Sequence, residues 1–286
     1  MVPRQPGPLL SGMARSAGVV GSPIQHSLSP LLHRAAYAAL GLDGWSYHCT
    51  EVPAGSLAAY AARLDPRWVG LSVTMPGKEE ALALAREAGP EAGLVGAANT
   101  LTRVDGGWRA DNTDVPGVLA ALRESGVCRV ESAVLVGSGA TARSVMVALA
   151  ELGVQQVRVL VRERVRASTV DLAGRLGLSL EVERYADLQP GRKGPPDLFV
   201  STVPVGATPP VDRLDPVAGL VVFDVVYAPW PTPFAAGLAG RGARVVGGES
   251  MLLHQAAEQV RLMTGMEPPV PAMRAALATR LPETGR

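Results

Sequence analysis

Over the first hundred residues short apolar runs alternate with helical patterns. Residues 17–20 predict a strand and 30–40 a helix; 45–49 predict a strand and 57–64 a helix. The apolar run at 69–73 predicts another strand, stopped by Pro76 and Gly77, after which a helical pattern spans 78–88. Residues 98–110 read as a hairpin, because the Asp105-Gly106-Gly107 step is a strong turn signal. Alternation of this kind predicts a mainly parallel sheet with helices on its faces.

A helix predicted over 116–124 leads into a second α/β series. The continuous apolar run 134–136 reads as a buried strand and 140–152 as a helix, followed by a strand at 157–161 and a helix at 167–176. Further strands are expected near 198–201, 221–224 and 244–246. The closing stretch, 250–263 and then 271–281, is helical throughout, and its helices are free to fold back on the first unit. The expected architecture is therefore α/β in two domains. Residues 13–114 with 250–286 form one domain and 115–249 the other, with 1–12 as a loose tail. Those first dozen residues are rich in Pro and Gly and lack a signal peptide's apolar core, and Met13 is an alternative start.

Length supports the two-domain reading, since 286 residues is long for one core. With 47% hydrophobic and 19% charged residues the chain is globular rather than disordered. A net charge of +1, with no basic face interleaved with aromatics, argues against a nucleic-acid partner. No apolar run reaches the length of a membrane span. Cys49 and Cys128 lie far apart and suit a reducing cytoplasm, and His26, His33, His48 and His254 show no metal-ligand spacing. A homodimer stays open.

Charge changes the picture at one residue. Of 27 basic residues only Lys78 and Lys193 are lysine. Arginine stays protonated, whereas lysine can give up its proton when buried or set beside positive charge. Lys78 sits where a strand hands over to a helix, facing the positive end of the helix dipole. It is thus a candidate proton-transfer group, while Lys193, in a Pro- and Gly-rich loop, reads as an ordinary surface lysine.

The run AVLVGSGATA at 133–142 places GxGxxA directly after a strand and at the start of a helix. In that register Gly137 makes the tight turn, Gly139 lets the backbone approach a pyrophosphate, and Ala142 allows close helix–strand packing. The next strand ends at Val161, and RERVR follows at 162–166. Three guanidinium groups there suit a ribose 2′-phosphate, though an Arg-rich chain would also write a solvated loop this way. Glu163 could itself reach a ribose hydroxyl.

Three further clusters fall at strand ends: SLSP at 27–30, GAANT at 96–100 and DNTD at 111–114. Each has a local explanation. Ser29 before Pro30 and Asp114 before Pro116 suit helix caps, Asn99 suits a turn, and Gln255 suits a helix surface. Gathered on one domain, the same hydroxyl, amide, carboxylate and amine groups would suit a polyhydroxylated acid.

In this order the segments resemble the shikimate dehydrogenase family. GSPIQHSLSP at 21–30 is similar to the family's opening motif almost residue for residue, and VTMPGK at 73–78, GAANT and NTD at 112–114 follow at the expected separations. DVVYAP at 224–229 and MLLHQAA at 251–257 resemble its closing segments. The resemblance covers residues 17–265. It implies reversible NADPH-dependent reduction of 3-dehydroshikimate to shikimate, a step of chorismate and aromatic amino-acid biosynthesis, in a cleft between a substrate domain and a Rossmann-type NADP domain. It implies Lys78 and Asp114 as the catalytic pair, the lysine exchanging a proton and the carboxylate holding both the lysine and a substrate hydroxyl. Ser27, Ser29, Ser72, Thr74, Asn99, Tyr227 and Gln255 correspond to groups that hold the substrate. Gly137, Ser138, Gly139, Ala140, Thr141, Arg162, Arg166, Thr202, Val225, Gly248 and Met251 fall where the family binds NADP.

The chain departs from the family pattern at several points. Ser72 stands in place of a usual Asn, so a shorter or water-mediated bond to substrate is expected there. Asp111 and Val115 replace glycines, Val161 and Glu163 replace the Asn and Thr flanking the first arginine, and Ser250 replaces a Gly. These keep two alternatives open: an oxidoreductase acting on quinate or an amino-substituted analogue with NAD, and a non-catalytic sensor on the same fold. Retention of Lys78 and Asp114 speaks against the sensor.

Overall fold

The first strand, β1 (Arg15–Gly21), anchors a six-stranded sheet with β2 (Trp45–Glu51), β3 (Trp68–Val73), β4 (Glu87–Ala88), β5 (Thr100–Val104) and β6 (Gly107–Asp111). In the computed structural model, which describes residues 14–191, 195–215 and 218–280, the strand order is β2-β1-β3-β5-β6-β4. β1 pairs parallel with both β2 and β3, whereas β5 runs antiparallel to β3 and β6. The sheet is therefore mixed, because the tight hairpin at Gly106 (φ 74°) reverses the chain where a crossover helix would have kept it parallel. The expected tail at 1–12, Met13 and Lys193 lie outside the described residues.

Around this sheet stand α1 (Ser29–Ala39), α2 (Leu57–Ala61), α3 (Lys78–Leu84) and α4 (Pro90–Val95). Its buried side chains include Val20, Leu57, Leu71, Val73, Ala81, Leu101 and Trp108. A second cluster joins Ala17, Val19, Ile24, Tyr37 and Tyr47 to Met263 from the closing helices.

The second unit begins at α5 (Asp114–Glu124) and holds β7 (Ser132–Val136), α6 (Ala140–Glu151), β8 (Gln156–Val161), α7 (Ala167–Arg175) and β9 (Ser179–Arg184). β10 (Leu198–Ser201), β11 (Val221–Asp224), α8 (Pro233–Ala239) and β12 (Arg244–Val246) complete it. All six strands pair parallel in the order β12-β11-β10-β7-β8-β9, a doubly wound sheet whose order reverses at β7. The chain passes into α9 (Glu249–Thr264), and from Leu253 it belongs to the first unit again, where α10 (Val270–Ala278) packs on α1.

Several local expectations are corrected. The helix from Lys78 ends at Leu84, not 88, because Ala85 turns extended and Arg86 and Gly89 donate to Trp108 and Ala110, adding β4 to the sheet edge. α2 stops at Ala61 rather than 64. Ser29 and Asp114, expected as caps, lie inside the first turns of α1 and α5, and no side chain caps α1.

Candidate active site

Within the first unit β1 and β3 run parallel and end in register, Val20 opposite Val73, so the loops leaving them start at one edge of the sheet. Thr74 N–H donates to Val20 O at 2.9 Å and Ser22 N–H to Met75 O at 3.0 Å, which ties the two loops together. The approach at Gly21 is too close for a side chain: a Cβ there would stand 2.4 Å from Thr74 Cγ2. The first loop carries Ser27 and delivers Ser29 to the first position of α1, with Ser27 Oγ accepting from Ser29 N–H at 3.3 Å. The second carries Thr74 and delivers Lys78, half-buried, to the first position of α3. Glu79 and Glu80 share that turn, and the Glu80 carboxylate is held by the N–H groups of Gly55 (2.7 Å) and Leu57 (3.3 Å).

Asn99 is fixed to the end of β3, its carbonyl accepting from Val73 N–H at 2.7 Å. Its side-chain oxygen accepts from Thr113 N–H (2.8 Å) and Thr100 Oγ1 (2.9 Å). Its amide nitrogen donates to Thr113 Oγ1 (2.9 Å) and to Gln255 Oε1 (3.4 Å) on α9. Asp114, itself buried, is the next residue in the chain after Thr113. The preference for small polar residues at this strand end thus serves a buried hydrogen-bond array rather than turn geometry alone.

Ser72, only 3% exposed, has two protein partners: it accepts from the Tyr47 phenol at 2.6 Å and donates to Gln259 Oε1 at 2.7 Å. Burial holds the Tyr47 phenol well above its ordinary pKa, so it remains a neutral donor to Ser72. His33 stacks on Tyr47 with ring centroids 4.0 Å apart, and burial lowers its pKa to about 3 despite a hydrogen bond to Gln259. Tyr47, Gln259 and His33 were not singled out from sequence. The spacing of Gln255 and Gln259, four residues apart and so on one helical face, was the available signal.

In the second unit Gly137 turns with φ 104° immediately after β7, and a Cβ there would meet Thr202 Oγ1 at 2.7 Å. Thr202 Oγ1 donates to Val136 O at 2.7 Å, clamping the turn. Ala142 is fully buried, as close packing of α6 on the sheet requires. Gly139 precedes α6, and a Cβ there would meet nothing within 4 Å. Open space beside Gly139, at the start of α6, is what a pyrophosphate needs.

Ser138 joins this turn to the loop after β8: its hydroxyl accepts from Arg166 N–H at 3.3 Å and its carbonyl from Thr169 Oγ1 at 2.8 Å. Arg143, 1% exposed, adds a bond from Nη1 to Ser168 Oγ at 2.9 Å. Arg162, Glu163, Arg164 and Arg166 line the same loop, with Arg162, Glu163, Arg164 and Arg166 reaching toward solvent. The donor set of this unit fits NADP: a glycine turn, a helix start and guanidinium groups on the neighbouring strand's loop. Val225 and Gly248 lie together, a Cβ on Gly248 falling 2.0 Å from Val225 O. Half-buried Tyr227 follows β11, and buried Met251 lies in the first turn of α9. Ser250, in place of the family's Gly, donates its hydroxyl to Glu124. Among the described residues no cluster of His, Cys, Asp and Glu could hold a metal ion, and no helix is long and apolar enough to cross a membrane.

A parallel sheet of reversing order, with a glycine turn at its switch point, defines an α/β protein of the dinucleotide-binding class. The family model described as shikimate dehydrogenase substrate binding domain matches residues 19–101, and that of the shikimate 5'-dehydrogenase C-terminal domain matches 248–278. Shikimate dehydrogenase (NADP(+)) of Methanothermobacter thermautotrophicus is 36% identical over 94% of this chain and 98% of its own. The crystal structure of Mycobacterium tuberculosis shikimate dehydrogenase is similar with a TM-score of 0.79 at 42% identity, over 93% of this chain and 99% of that one. The Thermus thermophilus enzyme, solved in complex with NADP(H) and shikimate, has a TM-score of 0.79 at 32% identity over the same shares. The chain belongs to the shikimate dehydrogenase family.

Proposed function

We propose that the protein catalyses the reversible NADPH-dependent reduction of 3-dehydroshikimate to shikimate, within chorismate and aromatic amino-acid biosynthesis. The observation that carries this reading is the buried array in which Ser72, Gln259, Asn99 and Gln255 are linked at the sheet end that also delivers Lys78. Hydroxyls and amides fixed by their neighbours are suited to a ring bearing several hydroxyl groups, because each unmatched polar group would cost binding energy.

NADPH, when bound, supplies the hydride that converts the ketone carbon to an alcohol. Lys78 Nζ gives its proton to the forming alkoxide and accepts one in the reverse direction, so the step consumes one proton per ketone reduced. Asp114 accepts a hydrogen bond from the hydroxyl beside the reacting carbon and orients the ring. Ser27 and Ser29 receive the carboxylate. Thr74, Asn99, Tyr227 and Gln255 hold the remaining ring groups.

The Gly137–Thr141 turn, with Thr202, holds the pyrophosphate, and Arg162 and Arg166 hold the 2′-phosphate. Val225, Gly248 and Met251 border the nicotinamide. Exposed thiols at Cys49 and Cys128 fit a reducing cytoplasm. Following NADPH absorbance on addition of 3-dehydroshikimate, with NADH and quinate run alongside, tests the reading. No oxidation of NADPH would overturn it.

A further inference from the structure

We propose that Gln259 is a positioning residue that sets specificity: it fixes the direction of the hydrogen bonds around Ser72 so that Ser72 meets the substrate only as an acceptor. This rests on the activity proposed above. Gln259 is 1% exposed and lies one turn beyond Gln255 on α9. Its Nε2 is 3.1 Å from the Asn99 carbonyl and 3.1 Å from Thr100 Oγ1. A carbonyl can only accept, so the amide NH₂ must face it and Oε1 must point the other way.

That orientation decides the rest. Oε1 stands 2.7 Å from Ser72 Oγ and 3.3 Å from His33 Nε2, and being an acceptor it takes a proton from each. Ser72 has one proton, now committed to Gln259, and one lone pair already taken by the Tyr47 phenol at 2.6 Å. Only an acceptor site is left on Ser72. On the other side Thr100 accepts from Gln259 and passes its own proton to Asn99 Oδ1 at 2.9 Å. The Asn99 oxygen also accepts from Thr113 N–H at 2.8 Å, which fixes that amide independently, its NH₂ donating to Thr113 Oγ1 at 2.9 Å and Gln255 Oε1 at 3.4 Å.

One internal amide therefore leaves an acceptor, and no donor, at position 72. A substrate group opposite Ser72 must be a hydroxyl or another donor; an acceptor-only group there would leave two lone pairs facing each other, a mismatch that buried sites reject strongly.

Gln259→Met keeps length and volume while removing both ends of the amide, and Gln259→Glu, when protonated, keeps an acceptor and a donor. Dissociation constants for shikimate and NADPH, KM and kcat are measured on the full chain. The same constants are taken for shikimate analogues carrying fluorine in place of each non-reacting ring hydroxyl in turn. In Gln259→Met shikimate KM and Kd should rise at least tenfold with NADPH Kd unchanged. Discrimination against one fluoro analogue should narrow by a similar factor, since Ser72 regains a proton to donate. Gln259→Glu should recover much of both. Unchanged shikimate affinity and unchanged discrimination in folded Gln259→Met would overturn the role of Gln259. Wild-type protein that binds no shikimate would instead remove the activity on which it rests.

Discussion

Gly137 and Thr202 are built against each other: a Cβ on Gly137 would stand 2.7 Å from the Thr202 hydroxyl, which is already donated to the carbonyl one residue earlier. The φ of 104° at Gly137 adds backbone strain for any other residue. Gly137→Ala should therefore cost about 1–3 kcal/mol and lower Tm by several degrees. NADPH affinity should fall at least tenfold, because the turn must move. Gly126 supplies the control, since its φ is 76° but nothing lies within 4 Å of a Cβ there. Gly126→Ala should lose some stability while NADPH affinity stays at wild type. Equal NADPH losses in both variants would refute the clash.

Much of this was legible in the residue pattern. GxGxxA could be read because a turn against a helix start demands glycine at fixed positions, and Gly137, Gly139 and Ala142 each show the predicted environment. Ser29 and Asp114 misled as caps because Ser or Asp before Pro has the same local chemistry whether it caps a helix or lies inside its first turn. β9 escaped notice because it is an edge strand whose side chains are mostly exposed, so its pattern carries no apolar face. Gln259 was illegible for another reason. Its partners Asn99 and Thr100 lie 160 and 159 residues away, and only the return of α9 to the first sheet brings them together.

His33 makes acid stability specific to one side chain. Its folded pKa, about 3, lies below its ordinary 6.5, so the folded protein binds fewer protons than the unfolded chain between those values. Stability is fully present above pH 6.5 and is lost as pH falls toward 3, by roughly 1–1.5 kcal/mol per pH unit. The groups facing His33 are Tyr37 on its own helix, Tyr47 on β2 and Gln259 on α9. Both phenols are pushed above their ordinary pKa by burial, so none of the three carries charge in this window. His33→Phe can keep the stack on Tyr47 and should lose less stability than wild type on acidification. Chemical denaturation of both proteins at pH 7, 6, 5 and 4 measures it; parallel pH profiles would exclude His33 as the source.

Cofactor choice should rest on Arg162 and Arg166. Both lie on the loop after β8, and Ser138 ties that loop to the glycine turn. Each charge-assisted bond to a 2′-phosphate is worth roughly 1.5–3 kcal/mol, so NADPH should exceed NADH at least tenfold in kcat/KM. The double variant Arg162→Ala/Arg166→Ala should weaken NADPH and leave NADH nearly unchanged. Glu163→Gln should widen the preference by removing a nearby negative charge. Equal losses for both cofactors in the arginine variant would mean that these side chains support the loop and do not read the phosphate.

Lys78 separates proton transfer from charge. It is one of two lysines among 27 basic residues and opens α3 at the edge where β1 and β3 end together. A guanidinium in its place would keep the positive charge but could not give up a proton at any pH the fold survives. Lys78→Arg and Lys78→Ala should therefore both lower kcat by about 10²–10⁴, the range expected for a general acid and base. Shikimate KM should move only a few-fold in either variant, because in the reading proposed above the Asn99 and Gln255 amides and the serine hydroxyls hold the ring. A Lys78→Arg protein with near-normal kcat would show that charge alone suffices, and the proton would then have to come from another group.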